Sequence, residues 1–267
     1  MAIRIQSSDN SIYKQIKKLQ TKNGRTKAGQ YIAEGKRAVC DAVANGADVA
    51  YLIWEEGYVP DFDIQNIKTY EFSKKLFDSL KLTVASQGIM AVINFNLPAV
   101  SDMDVSAYKR VVYLDSVTDP GNMGTIIRSC DALGADAIVV SKGCVDIFNP
   151  KVVRSTMASL MNVPIFADGD GVETLTLFKN AGFAVFGTFP EGDIYSCEAD
   201  YTDKTLLVMG NEANGICDDI APICDFRIKI PMLGRAESLN VATALTVMLY
   251  EIMRGQFTDK SKDRGDT

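Results

Sequence analysis

Apolar residues at Ile12, Ile16 and Leu19 recur at helical spacing with lysines between them, and the next stretch, Thr21-Lys22-Asn23-Gly24, is polar. This pattern predicts a basic amphipathic helix running into a basic loop. A second helix is predicted over 36–44, closed by Asn45-Gly46, followed by a strand over 49–54. Residues 72–80 read as a helix and 89–93 as a strand, so the first 98 residues form a small α/β sandwich. Leu97-Pro98 opens a polar, turn-rich stretch that places a linker near 97–106. Beyond it, apolar runs at 111–114, 137–140, 163–166, 183–186, 206–209 and 226–230 alternate with helical segments, the pattern of a mostly parallel sheet covered on both faces. In the last helix Val241, Leu245, Met248, Leu249 and Ile252 share one face, Ser238 can cap the start and Arg254-Gly255 supplies a stop. The expected organisation is therefore two α/β domains, 1–98 and 107–257, with a flexible tail over 258–267.

Charge changes the picture by its distribution. Residues 1–37 carry nine basic side chains (Arg4, Lys14, Lys17, Lys18, Lys22, Arg25, Lys27, Lys36, Arg37) against Asp9 and Glu34, a net +7, in a chain whose total is −6. The remainder is thus −13, and the asymmetry points to a polyanion at the N-terminal end. The six cysteines include no C-x-x-C pair, which argues for reduced thiols in a cytosol rather than a zinc ribbon or a disulfide framework. No apolar run approaches the roughly 18 residues of a membrane span, and the N-terminus has no apolar signal region, so neither membrane nor secretion is expected. The chain has no histidine, which removes the usual general base, the Ser-His and Cys-His pairings and the commonest zinc ligand; no metal is expected.

Neither a P-loop nor a G-x-G-x-x-G after a strand is present. Three other segments follow predicted strands. In the first, DPGNMGTIIR (119–128), Asp119-Pro120 is a natural helix opening, and Gly124 and Arg128 share a face. A helical side chain leans toward the N-terminus, so Arg128 would reach back over the bare glycine toward Asn122. The same residues also describe a surface arginine beside a tolerated glycine. In the second, MGNEANGI (209–216), two glycines and two asparagines flank Glu212, the composition of an anion-facing loop and equally of a strand-ending turn. In the third, IPMLGRAESLN (230–240), Ser238 and Asn240 stand at a helix start, although Ser238 is also a sufficient cap with no other role, and Met232 and Leu239 would by themselves read as core.

These segments, in this order and each at a strand end, resemble the three motifs of the SpoU (TrmH) family of RNA 2′-O-ribose methyltransferases: DPGNMGTIIR (119–128), LVMGNE (207–212), and Ile230-Pro231-Met232 with SLNV (238–241). FNPKVVRS (148–155) fits the family's intervening segment, and Glu34-Gly35 with SQGI (86–89) resembles its N-terminal substrate-binding domain. The resemblance implies a C-terminal α/β domain tied in a trefoil knot, a homodimer, and S-adenosyl-L-methionine as cofactor. It implies that Thr188, Gly210, Ile230, Met232 and Leu239 line the cofactor pocket and that Arg128, Asn122, Glu212, Ser238 and Asn240 surround the ribose 2′-hydroxyl. Two departures stand out: Glu212-Ala213-Asn214-Gly215 where Glu-Gly-x-Gly is commoner, and Arg235 and Glu237 within the third loop.

The expected function is methyl transfer to RNA ribose. A separate N-terminal domain favours ribosomal RNA of the 23S type over transfer RNA, with Lys14, Lys17, Lys18, Lys22, Arg25 and Lys27 gripping phosphates. A non-catalytic RNA-binding or ribosome-assembly protein would bind RNA without cofactor. A nicotinamide-dependent oxidoreductase would need the glycine fingerprint that this chain lacks.

Overall fold

The structure, a computed structural model, describes residues 2–64, 66–83 and 86–262, with side chains described as far as 254. The first half of the chain runs β1 (Ile3–Ile5), α1 (Ser11–Leu19), α2 (Lys22–Ala28), β2 (Gln30–Glu34), α3 (Lys36–Ala44), β3 (Val49–Glu55), β4 (Thr69–Phe72), α4 (Lys74–Leu80), β5 (Ile89–Asn94), β6 (Arg110–Leu114) and α5 (Pro120–Ala132). It continues with β7 (Ala137–Val140), α6 (Pro150–Ser155), β8 (Ile165–Ala167), α7 (Gly171–Asn180), β9 (Ala184–Thr188), β10 (Ile194–Tyr195), β11 (Thr205–Met209), β12 (Phe226–Lys229) and α8 (Val241–Lys262). These elements form two compact units, 1–96 with 146–161, and 97–145 with 162–267. Among the described residues no helix is long and apolar enough to cross a membrane.

In the first unit a five-stranded mixed sheet has the order β1-β4-β3-β5-β2. Ile16 and Leu19 of α1 are fully buried against it with Phe72, Phe77 and Leu80, each such side chain contributing about 1.5–3 kcal/mol through the water it leaves. The segment expected to be a basic loop is instead the helix α2. Thr21 caps it by accepting from Gly24 N–H, and Gly29 closes it at φ 60°. Gly24 lets α2 lie against the end of α1, since a Cβ there would sit 1.9 Å from the Lys18 carbonyl oxygen. Residues 146–161, placed by their sequence pattern in the second domain, pack in this unit. Phe148 stacks on Phe95 with centroids 3.7 Å apart, and Arg25 donates to Asp146 at 2.5 and 3.0 Å.

In the second unit seven strands run in the order β10-β12-β9-β11-β6-β7-β8, every pairing parallel. Residues 97–106 are not a loose linker: two 3-10 turns (Val100–Asp102 and Val105–Ala107) bury Val100, Met103 and Val105 in this unit's core. The strand run β6, β7, β8 is built outward on one side and β9 on the other, so the direction of winding switches between β6 and β11, where Leu114 is level with Met209. Such a switch opens a crevice at the carboxyl ends of the strands. The last helix passes Arg254-Gly255 and runs to Lys262; of the expected tail, 258–262 are helical and 263–267 lie outside the described residues.

Candidate active site

Three loops leave the sheet at its carboxyl edge. After β6, Asp119 caps α5 by accepting from Asn122 N–H at 2.9 Å, and Pro120 occupies the first turn, which needs no N–H donor. After β11 the chain closes on itself. Asn211 and Gly215 exchange backbone hydrogen bonds at 2.8 and 3.0 Å, and a Cβ on Gly210 would lie 2.1 Å from the Gly215 carbonyl carbon, so only glycine fits there. Asn211 Oδ1 accepts from Ala213 and Asn214 N–H while its Nδ2 donates to Ser116 O at 2.7 Å, tying this loop to the end of β6. The buried Asp115 adds a second tie by accepting from Cys217 N–H at 2.8 Å.

These ties set the Glu212 carboxylate against the N-terminus of α5. It accepts from Thr118 N–H (3.2 Å), Thr118 Oγ1 (3.3 Å), Asp119 N–H (3.1 Å) and Asn122 Nδ2 (3.0 Å). Burial works against its charge, but the Asn122 side chain and the backbone N–H groups outweigh it and hold the carboxyl at about 2. Asn122 Oδ1 in turn accepts from Asn240 Nδ2 at 2.8 Å, and Asn240 Oδ1 accepts from Ala242 and Thr243 N–H at the start of α8. Asn240, not Ser238, therefore caps the last helix. Its side chain sits one residue before the first helical N–H groups, while Ser238 stands exposed two residues too early.

Of the five residues expected around the ribose, the structure links Glu212, Asn122 and Asn240 in one hydrogen-bonded chain drawn from all three loops. Arg128 is exposed on α5 with no hydrogen-bond or ion-pair partner among the described residues, and no bond joins it to Asn122. Thr188, Gly210 and Ile230 stand at the carboxyl ends of the adjacent strands β9, β11 and β12, with Thr188 Oγ1 donating to Val208 O at 3.1 Å. Met232 and Leu239 are more than a third exposed in the loop 231–240. Thr118 and Asn211 were missed by sequence reasoning; Asn211 lies inside the second motif and Thr118 just before the first, but as a threonine before a cap and an asparagine in a turn they carry no distinguishing signal.

In the first unit one expected phosphate ligand is withdrawn. Arg25 is 3% exposed, spans from Leu19 O to Asp146, and cannot contact a phosphate; it fastens α2 to α1 and to the segment 146–161. Lys14 pairs with Asp9 and Lys17 donates to Ser79 O, whereas Lys18, Lys22 and Lys27 remain exposed.

An all-parallel sheet that gathers a helix N-terminus, a fixed carboxylate and two amides at its switch point defines an α/β protein of the class whose ligand sites lie at the carboxyl edge. A family model described as SpoU rRNA Methylase family matches residues 109–250, and one described as MRM3-like substrate binding domain matches 10–91. The 23S rRNA (guanosine(2553)-2'-O)-methyltransferase RlmP of Bacillus subtilis (strain 168) is 32% identical over 252 residues, covering 93% of this chain and 98% of that protein. The 23S rRNA (uridine(2479)-2'-O)-methyltransferase of Streptomyces viridochromogenes is 30% identical over 256 residues, 91% and 89% of the two chains. The crystal structure of the SpoU methyltransferase AviRb from that organism, in complex with the cofactor AdoMet, superposes with TM-score 0.83 at 29% identity, covering 93% of this chain and 100% of that one. An AdoMet-bound rRNA methyltransferase from Sinorhizobium meliloti does so with TM-score 0.85 at 29% identity, covering 95% and 98%. The chain belongs to the SpoU methylase family, and its fold is the one these trefoil-knotted enzymes share.

Proposed function

We propose that this chain transfers a methyl group from S-adenosylmethionine to a ribose 2′-hydroxyl of 23S-type ribosomal RNA. The observation that carries this reading is the hydrogen-bonded chain Glu212–Asn122–Asn240, which unites the three matched motifs at the switch point of the sheet. The residues present suit the cofactor. Backbone groups at Thr188, Gly210 and Ile230 match an adenine edge, and the exposed apolar side chains of Met232 and Leu239 match a methylthio stem. When bound, S-adenosylmethionine supplies an electrophilic methyl on sulfur, and displacement by the ribose oxygen demands alignment and exclusion of water rather than an imidazole.

Arg128 supplies the free charge. A guanidinium offers donors and no acceptor, so Arg128 orients the RNA and stabilises the alkoxide character that develops on the 2′-oxygen rather than taking its proton. Glu212 is fixed as a carboxylate by its donors and holds Asn122. Ser238, exposed in the loop 231–240, completes the polar set. Lys14, Lys17, Lys18, Lys22 and Lys27 of the first unit hold RNA phosphates, Lys18, Lys22 and Lys27 above all. The reading includes a homodimer working in the cytoplasm; Leu233, fully exposed, and Tyr250, 52% exposed, are apolar surface that a second copy would cover.

The test is to incubate separated ribosomal and transfer RNA with methyl-labelled S-adenosylmethionine and digest the product to nucleosides. Label in a 2′-O-methylnucleoside of ribosomal RNA is expected. Label confined to transfer RNA would change the substrate. No label anywhere, with no cofactor binding by calorimetry, would overturn the enzyme reading in favour of an RNA-binding protein.

A further inference from the structure

The hydrogen-bonded chain at the carboxyl edge has a direction that its two ends impose. At one end Glu212 is a carboxylate and can only accept; at the other, the N–H groups of Ala242 and Thr243 can only donate. Asn122 must therefore turn its Nδ2 to Glu212 and its Oδ1 to Asn240, and Asn240 must turn its Nδ2 to Asn122 and its Oδ1 to α8. Reversing either amide would set donor against donor at one contact and acceptor against acceptor at another. Among the described residues each amide keeps one N–H unused, the Asn240 oxygen has both acceptor positions occupied and the Asn122 oxygen has one.

We propose that Thr118 and Glu212 are positioning residues that lock this direction, so that Asn122 and Asn240 present N–H donors to the reacting ribose oxygen. Thr118 acts twice on the accepting end, through its backbone N–H and its Oγ1, and so keeps the Glu212 carboxylate turned toward Asn122. The arrangement helps bear negative charge but takes up no proton, so the hydroxyl proton leaves to water outside this chain of residues. The inference rests on the methyl-transfer reading above.

The test uses variants of the full chain with RNA and S-adenosylmethionine. Asn122→Asp places a second carboxylate opposite Glu212, and one of the two must retain a proton. Methyl transfer at pH 8 is expected to fall about tenfold or more and to recover as pH is lowered, a limb absent from the wild type. Without cofactor or RNA, the same variant is expected to lose stability toward urea as pH rises, because the folded state binds the extra proton more tightly than the unfolded chain. Adding Glu212→Gln restores a donor opposite the new carboxylate and is expected to remove both pH effects. Thr118→Val is expected to lower kcat a few-fold with the RNA KM unchanged, and Thr118→Ser to restore it. An Asn122→Asp variant with the wild-type rate and a flat pH profile, or a double variant that keeps both pH effects, would overturn the proposal. Absence of transfer by the wild type would instead count against the methyl-transfer reading, leaving the stability arm to judge the direction of the chain.

Discussion

Arg25 and Arg128 lie on helices that begin alike, each capped by a side-chain oxygen, Thr21 for α2 and Asp119 for α5. Their surroundings differ completely. Arg25 is buried, with its guanidinium divided between Leu19 O and the Asp146 carboxylate, whereas Arg128 is exposed and unpartnered among the described residues. Around Arg25 the first unit uses its polar groups on itself: Lys17 donates to Ser79 O, and Glu34 accepts from Leu82 N–H. At the start of α5 the second unit fixes its carboxylate and amides with loop bonds, and further along the same helix Arg128 has no partner among the described residues. A charge is available for a ligand only when the fold has not already assigned it a partner, and for Arg25 that partner is 121 residues away in sequence.

The contrast can be broken most severely at Arg25. Arg25→Ala leaves Asp146 unpaired in a largely buried site and is expected to cost about 3–5 kcal/mol of stability, read as a lowered urea midpoint, with methyl transfer per folded molecule unchanged. A large loss of rate without loss of stability would show that Arg25 reaches the RNA after all. Exchanging Lys18, Lys22 and Lys27 together for alanine tests the exposed charge of the same unit. If all three touch phosphates, RNA affinity falls and the slope of its logarithm against log salt becomes shallower by about 3; an unchanged slope would place the RNA elsewhere. A smaller effect is expected at Ala158, held in left-handed backbone at φ 78°, where Ala158→Gly should add about 1 kcal/mol and raise Tm by about 2–4 °C. An effect confined to acid pH concerns Glu212. Its depressed pKa contributes stability that is complete above its ordinary value of 4.5 and is lost as pH falls through about 2, so wild type should lose more stability over that interval than Glu212→Gln.

How far the sequence carried the fold depended on whether an element declared itself locally. β7 and α3 fall on the expected residues because an apolar run and a closed amphipathic stretch are self-contained signals. β1, β2, β4 and β10 are two to five residues long, too short for a period to stand out, and of β4 only Phe72 falls within the helix expected over 72–80. α2 has no apolar period at all; its cap, its closing glycine and its seat against α1 make it a helix. The allocation of 146–161 to the first unit depends on Phe148 meeting Phe95 and Asp146 meeting Arg25, pairings at a distance that periodicity does not encode. At the candidate site the motifs identified the loops, and Glu212, Asn122 and Asn240 meet there. The sequence reading places the α8 cap on Ser238 and the structure places it on Asn240, since either side chain can accept from helix N–H groups and only the position of the first turn decides.

Methyl transfer is expected at the carboxyl edge between β6 and β11, with Arg128 as the charge that serves it. The most direct measurement is single-turnover transfer to ribosomal RNA by Arg128→Ala, alongside calorimetric binding of S-adenosylmethionine. A fall of about 10²–10³ in rate with cofactor affinity and stability unchanged is expected. Transfer at the wild-type rate would contradict the account and move the chemistry away from this edge.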